Sequence, residues 1–288
     1  MAAAGMTGVE LRSADGTRLR ADYYPGHAPR GGLVISHGLG EHAGCYRHVA
    51  EALGAVGLDV LALDYRGHGR SPGRRGAVEN YGRLVEDLTA ALEFLGHDNP
   101  RFILGHSNGG QVALRLAMAD PSAVDGLILS NPSIRLAARV PPHKWLVGQI
   151  LRRIAPGLTL STGLPDSMMV RDPTRFGDRS ADPLRHTSIN PALYFGMVAG
   201  GEILQARASE IIAPTLMVLG DDDPLIDHRA SLSLLDRIGS ADKRAIVVSG
   251  GRHEPLNDLG AEALLAEIGG WIEARLDARH AILGRTME

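Results

Sequence analysis

The chain has 288 residues, 44% of them hydrophobic and 22% charged, with a formal net charge of −3. That is a globular composition, long enough for one large α/β domain or for a core with an inserted subdomain, and its weak acidity without any basic run excludes a nucleic-acid-binding surface as its main business. The single cysteine, Cys45, excludes an intrachain disulfide and a thiolate zinc site. No apolar signal core opens the chain and no stretch approaches the ~20 apolar residues of a membrane span, so the expected location is the cytoplasm.

Two short alternating segments, Val9 to Ser13 and Thr17 to Tyr23, are joined by Ala14-Asp15-Gly16, a hairpin signal. The pattern then changes to buried strands alternating with helices. Leu33 to Ser36 reads as a strand, Tyr46 to Val56 as a helix, Leu58 to Leu63 as a strand and Tyr81 to Leu95 as a helix. Ile103-Leu104 and Val124 to Leu129 continue the series as strands. Strands that are apolar along their whole length imply a parallel sheet covered on both faces. From Asn131 to about Glu210 the alternation lapses, and one amphipathic helix stands out there: Trp145, Leu146, Ile150, Leu151 and Ile154 on one side, Gln149, Arg152 and Arg153 on the other. Alternation resumes with Thr215 to Leu219, Ala230 to Ile238, Ala245 to Val248 and Ala261 to Leu276. The expected organisation is a core in two parts, 1–130 and 211–288, with residues 131–210 inserted as a cap where ligands of open α/β sheets bind.

The motif richest in chemistry is Gly105-His106-Ser107-Asn108-Gly109, set between the apolar Phe102-Ile103-Leu104 and a helical pattern from Gly110 to Met118. In a chain with 36 glycines the pattern alone is weak, and a serine there could simply cap the helix. The strand-turn-helix context favours a sharper reading: glycines two before and two after the serine relieve crowding, and the hydroxyl stands exposed at the positive end of a helix. A serine needs an imidazole to take its proton and a carboxylate to orient that imidazole. His253 is the best placed of the 12 histidines, directly after the last strand through Ser249-Gly250-Gly251, whereas His37 and His106 adjoin glycine turns where a structural role suffices. The acid comes from Asp221-Asp222-Asp223-Pro224. Spacing does not choose among the three, although Pro224 favours an extended backbone at Asp223 and turns that carboxylate apart from its neighbours.

A second amide for an oxyanion would come from Ser36-His37-Gly38-Leu39-Gly40, with Leu39 the choice. The same stretch, Gly38-Leu39-Gly40-Glu41-His42-Ala43, also fits a dinucleotide fingerprint with Asp64 at the next strand end. Against that reading, Glu41 would bring a carboxylate close to a pyrophosphate.

Taken together, His37 to His42, Asp64-Tyr65-Arg66-Gly67-His68-Gly69-Arg70-Ser71, the serine turn, Gly220 to Asp223 and His253-Glu254 resemble the α/β-hydrolases, and most closely the monoacylglycerol lipase and lysophospholipase branch. The resemblance implies an α/β-hydrolase fold: a mostly parallel, doubly wound sheet with an inserted helical cap. It implies Ser107 as nucleophile, Asp223 as acid, His253 as base, and Leu39 and Asn108 as the oxyanion hole, with no metal or organic cofactor. The expected substrate is a lipid-like ester, a monoacylglycerol or similar monoester cleaved through an acyl-enzyme. Candidate substrate-binding residues are Glu41, Trp145, Ile150, Met168 and Tyr194, and the cap of such enzymes often touches membrane surfaces. Two departures stand out: the family commonly has methionine where Asn108 stands, and arginine where Cys45 stands. Other bonds on the same scaffold, such as a carboxylester, thioester or lactone, and a weakly catalytic ligand receptor are the alternatives.

Overall fold

The computed structural model describes residues 5–137, 140–175 and 179–286. Its core is one sheet of eight strands. The hairpin β1 (Thr7–Arg12) and β2 (Arg18–Tyr24) pairs antiparallel in register Leu11 with Leu19. It is followed by β3 (Gly31–Ser36), α1 (Arg47–Gly54), β4 (Leu58–Asp64), α2 (Gly82–Phe94), β5 (Arg101–His106), α3 (Asn108–Ala119) and β6 (Gly126–Ser130).

A long excursion then leaves the sheet. It contains α4 (Pro142–Ile154), the two-residue β7 (Leu160–Ser161), α5 (Asp166–Met169), β8 (Ser188–Ile189) paired with β7, and α6 (Pro191–Ala206). The chain returns through β9 (Thr215–Gly220), α7 (His228–Arg237), β10 (Lys243–Val248) and α8 (Ala261–Thr286). Strand order is β1-β2-β4-β3-β5-β6-β9-β10; β2 meets β4 antiparallel and every later pairing is parallel.

Strands β3, β5, β6 and β9 are buried at every residue, and β4 at every residue but Asp59, because helices cover both sheet faces, and side chains alternate between two cores. Val34, Leu61, Ile103 and Leu127 point to the α2, α3 and α7 side. Leu33, Ile35, Val60 and Phe102 point to the side of α1 and α8. Each fully buried leucine contributes ~2 kcal/mol of transfer free energy. The parallel strands all end at one edge, and that edge receives the motifs.

The excursion holds more regular structure than its sequence pattern shows. Helix α6 is capped by Asn190, whose Oδ1 accepts from the Leu193 amide, and opens with Pro191. It packs against α3, where a Cβ on Gly200 would meet Gln111 Oε1 at 2.6 Å, and against the chain after β6, where one on Gly201 would meet the Ile134 carbonyl at 2.1 Å. The stretch before α6 is fastened to the core backbone at two points. The His186 amide donates to the Gly40 carbonyl (3.0 Å) and the Asn190 amide to the Gly76 carbonyl (2.8 Å). Both glycines have positive φ, 77° and 67°, and a Cβ on either would lie within 2.0 Å of a carbonyl oxygen of the excursion. Helix α4 is different, with no buried residue at all.

Candidate active site

The turn between β5 and α3 places Ser107 at φ 49° and ψ −117°, a conformation costly for a residue with a Cβ. The surroundings enforce it. The Ser107 amide donates to the Ser130 carbonyl at 2.9 Å, and the Ser107 carbonyl accepts from the amides of Gln111 and Ser133. A Cβ at Gly109 would lie 2.1 Å from the Ser36 carbonyl, and one at Gly105 2.7 Å from the Gly110 Cα, so neither position accepts a side chain.

From this turn the Ser107 hydroxyl reaches His253 Nε2 at 2.9 Å, while His253 Nδ1 lies 2.8 Å from Asp223 Oδ2. Asp223 Oδ1 accepts from the amides of Leu225 and Ile226, which leaves Oδ2 for the imidazole and assigns the ring proton to Nδ1. Of the neighbouring aspartates, Asp221 accepts from the Gly250 amide and is exposed, as is Asp222. Burial alone would lower the pKa of His253, but the charge and hydrogen bond of Asp223, helped by Glu254 and Glu41, raise it above the ordinary histidine value. His106, 4.9 Å from His253 ring to ring, is pushed down to about 3 by burial and by that neighbour, and its Nδ1 donates to the Ser130 carbonyl. His37 donates through Nδ1 to the Gly38 carbonyl and is lowered to about 4 by burial. Both are structural rings, neutral at physiological pH.

Leu39 lines a cavity of about 680 Å³ above Ser107, together with Glu41 and His253. The Gly38 amide is not free to serve an oxyanion, because it donates to Glu41 Oε2 at 2.7 Å. That bond also closes the dinucleotide reading: the loop curls over its own carboxylate and leads into a 3-10 turn, Ala43–Tyr46, where a pyrophosphate would need open amides. Asn108 begins α3, so its amide lacks an intrahelical acceptor. Its side-chain Oδ1 accepts from the Tyr81 hydroxyl at 2.7 Å, both groups buried.

Of the candidate substrate-binding residues, Glu41, Trp145 and Tyr194 line the cavity. Ile150 and Met168 are not among its lining residues. In α4 the cavity meets Lys144, Trp145 and Gly148, and Ile150 stands about 200° round the helix from Gly148, half exposed to solvent. In α5 the following residue, Met169, takes the lining position.

One charged cluster was not legible in the motifs. Glu41 and Glu254 are both buried on the cavity floor, and two arginines of the excursion face them. Arg179 grips Glu254 with Nη1 and Nη2 at 2.7 and 2.6 Å, and Arg185 Nη2 stands 3.8 Å from Glu41 Oε1. Burial works to raise Glu254, but the Arg179 guanidinium outweighs it and holds the carboxyl well below its usual range. Glu41 is pushed up to about 7 by burial and by the charge of Glu254. Arg185 stands at ion-pair distance from Glu41 without a hydrogen bond to it, and its charge works against the rise. Two groups of potential metal donors occur among the described residues: Glu41, His106 and Glu254, where Glu254 is taken by Arg179 and His106 by the Ser130 carbonyl, and His42, Cys45 and Asp182, where His42 Nε2 faces Asp182 at 2.7 Å and its Nδ1 accepts from Gly44.

A parallel sheet with a serine turn after β5, an acid after β9 and a histidine after β10 defines the α/β-hydrolase fold. Residues 27–260 match the Hydrolase_4 family, described as serine aminopeptidase, S33, and the chain belongs to that family. It is 35% identical over 266 residues to a monoacylglycerol lipase of Mycolicibacterium smegmatis, covering 91% of this chain and 95% of that one. It is 28% identical over 273 residues to the monoglyceride lipase of Homo sapiens, covering 92% and 90%. The crystal structure of the Paleococcus ferrophilus monoacylglycerol lipase superposes with a TM-score of 0.83 at 31% identity, over 89% of this chain and 99% of that one. The protein is a carboxylic ester hydrolase of the monoacylglycerol lipase-like kind.

Proposed function

We propose that Ser107, His253 and Asp223 are the catalytic triad and that the substrate is a monoacylglycerol or a similar lipid monoester. The observation that carries this reading is the unbroken line from Ser107 Oγ through the imidazole to Asp223 beneath a cavity large enough for an acyl chain. Ser107 Oγ attacks the ester carbonyl while His253 Nε2 takes its proton, and Asp223 stabilises the resulting imidazolium. The oxyanion is received by the backbone amides of Leu39 and Asn108, the latter at the positive end of α3. His253 returns the proton to the departing alcohol, and water repeats the sequence on the acyl-enzyme to release the fatty acid and regenerate Ser107.

Residues 131–210 act as the cap over this site. Leu136, Leu164, Ile189 and Phe195 supply apolar wall for the acyl chain, while Glu41 and Arg185 make the polar end. Arg179 takes both oxygens of Glu254, whereas Glu41 Oε1, 3.8 Å from Arg185, has no hydrogen-bond partner and is left to meet a polar group of the substrate. No helix among the described residues is long and apolar enough to cross a membrane. Trp145, Leu146 and Val147 are nonetheless 49%, 56% and 50% exposed on α4, with Lys144, Arg152 and Arg153 on the same helix. This surface meets lipid aggregates from which the substrate is drawn.

The test is a panel of mono-, di- and triacylglycerols, p-nitrophenyl esters and amino-acid p-nitroanilides, assayed beside Ser107→Ala. Monoacylglycerols of medium or long chain are expected to be the best substrates, the anilides inert, and Ser107→Ala at least ~1,000-fold slower with its fold intact. Ester turnover by Ser107→Ala at the native rate overturns the mechanism; a preference for triacylglycerols or anilides overturns the substrate.

A further inference from the structure

Directly after β6 the chain makes a bend that the catalytic motifs leave unexplained. Asn131 is completely buried and has φ 39°, in the left-handed region that a residue with a Cβ rarely enters. Its side-chain amide uses both ends. Nδ2 donates to the carbonyl of Arg252 at 2.9 Å and to the carbonyl of His253 itself at 2.8 Å. Oδ1 accepts from the amide of Gly220 at 3.0 Å. The Asn131 backbone amide donates to the Val218 carbonyl at 3.0 Å, and the residue before it, Ser130, holds the Ser107 amide.

One buried side chain therefore joins the strand end that leads to Asp223 to the loop that carries His253, at the point where the serine turn is anchored. The fit admits few alternatives. Gly220 and the His253 loop approach backbone to backbone: a Cβ on Gly220 would lie 2.2 Å from the Gly251 carbonyl and 2.5 Å from that of Arg252. A group bridging them must enter from the side, as Asn131 does. Asparagine is among the few residues that tolerate positive φ, and a primary amide can donate twice and accept once. Aspartate offers no donor for the two carbonyls, and alanine nothing for either side.

We propose that Asn131 is a positioning residue that fixes His253 in line between Ser107 and Asp223. This rests on the triad reading above. Backbone bonds from Asp221 to Val248 and from Asp222 to Gly251 also tie the two loops, but they end short of residues 252 and 253. Asn131 holds the carbonyl of the imidazole-bearing residue.

The experiment compares Asn131→Gly and Asn131→Asp with the native protein, measuring kcat, KM, the pH profile of kcat/KM on p-nitrophenyl butyrate, the rate of fluorophosphonate labelling and Tm. Glycine adopts φ 39° freely, so Asn131→Gly removes the clamp while relieving the backbone. Its kcat and its labelling rate are expected to fall together, on the order of 10- to 100-fold, as displacement of a catalytic group by about 1 Å does, with KM within twofold of native. The acidic limb should move to lower pH, because a loosened contact with Asp223 removes much of what raises His253, with Glu254 and Glu41 the remaining acidic neighbours and His106 the basic one. Asn131→Asp keeps the acceptor for Gly220 but turns a carboxylate toward two carbonyls, and is expected to lose at least as much. Native kcat and pH profile in Asn131→Gly, or loss of activity only in proportion to unfolded protein, overturns the proposal; so does loss of the fold in both variants. If Ser107→Ala retained activity the triad reading itself would fail, a result distinct from an active Asn131→Gly beside an inactive Ser107→Ala.

Discussion

Arg179 and Glu254 form a two-point ion pair that ties the excursion after β6 to the residue next to His253. Arg179 is 10% exposed and Glu254 3%, so neither group is well solvated. Removing one partner of a buried pair leaves a charge without compensation and typically costs about 3–5 kcal/mol. Arg185, whose Nη2 lies 4.0 Å from Glu254 Oε2, offsets part of that loss. Arg179→Met is therefore expected to lower stability by about 3 kcal/mol in urea denaturation, with much of it restored in Arg179→Met/Glu254→Gln. An unchanged midpoint in the single variant would show that the pair contributes nothing.

The base must be neutral to accept the Ser107 proton, and Asp223 raises the pKa of His253. Activity is thus expected to climb with pH along a limb centred above the ordinary histidine value near 6.5. Asp223→Asn removes the largest raising influence; the limb should shift to lower pH while kcat falls by ~10⁴. A limb that stayed in place in this variant would point to another titrating group.

Asn108 and Tyr81 give a separate test of where the oxyanion donor lies. Asn108→Ala strands the buried Tyr81 hydroxyl, at a cost of about 1–3 kcal/mol seen as a lower Tm. Since the proposed donor is the backbone amide, kcat per folded molecule should change less than tenfold. A collapse of kcat at native Tm would instead implicate the side chain.

For the exposed face of α4, Leu146→Ser/Val147→Ser, at two positions that do not line the cavity, should weaken binding to anionic phosphatidylglycerol vesicles and raise KM for emulsified monoacylglycerol, leaving turnover of soluble p-nitrophenyl butyrate unchanged. Equal loss on both substrates would assign these residues to the cavity alone.

Much of this arrangement was legible in the chain because its signals are local. Apolar runs ended by glycine turns located the buried strands, and the serine turn could be read from two glycines whose neighbours leave no room for a Cβ. The strand-to-histidine connection was equally local. Helix α6 escaped notice because its apolar residues are spread all round and three glycines interrupt it, although Asn190-Pro191 is a recognisable start. The ion cluster was hidden for another reason: Arg179 and Arg185 lie well over a hundred residues from Glu41, and nothing in a spacing rule joins them. Asn131 carried no motif, and its importance comes from three partners in distant loops. Ile150 was placed toward the substrate from a helical wheel, which finds the apolar face of α4 but not whether that face looks inward.

The two backbone fastenings at Gly40 and Gly76 limit how the site can open. The trailing half of the excursion is stitched to the main body through carbonyls and amides, bonds that no side-chain rotation alone would release. On the opposite flank α4 rests on α6 through Trp145 and Gly148 against Phe195, with none of its residues buried. The exposed apolar face of α4 and the cavity wall formed by Trp145 and Gly148 therefore belong to one helix, so whatever binds the outside of α4 lies a single helix away from the space above Ser107.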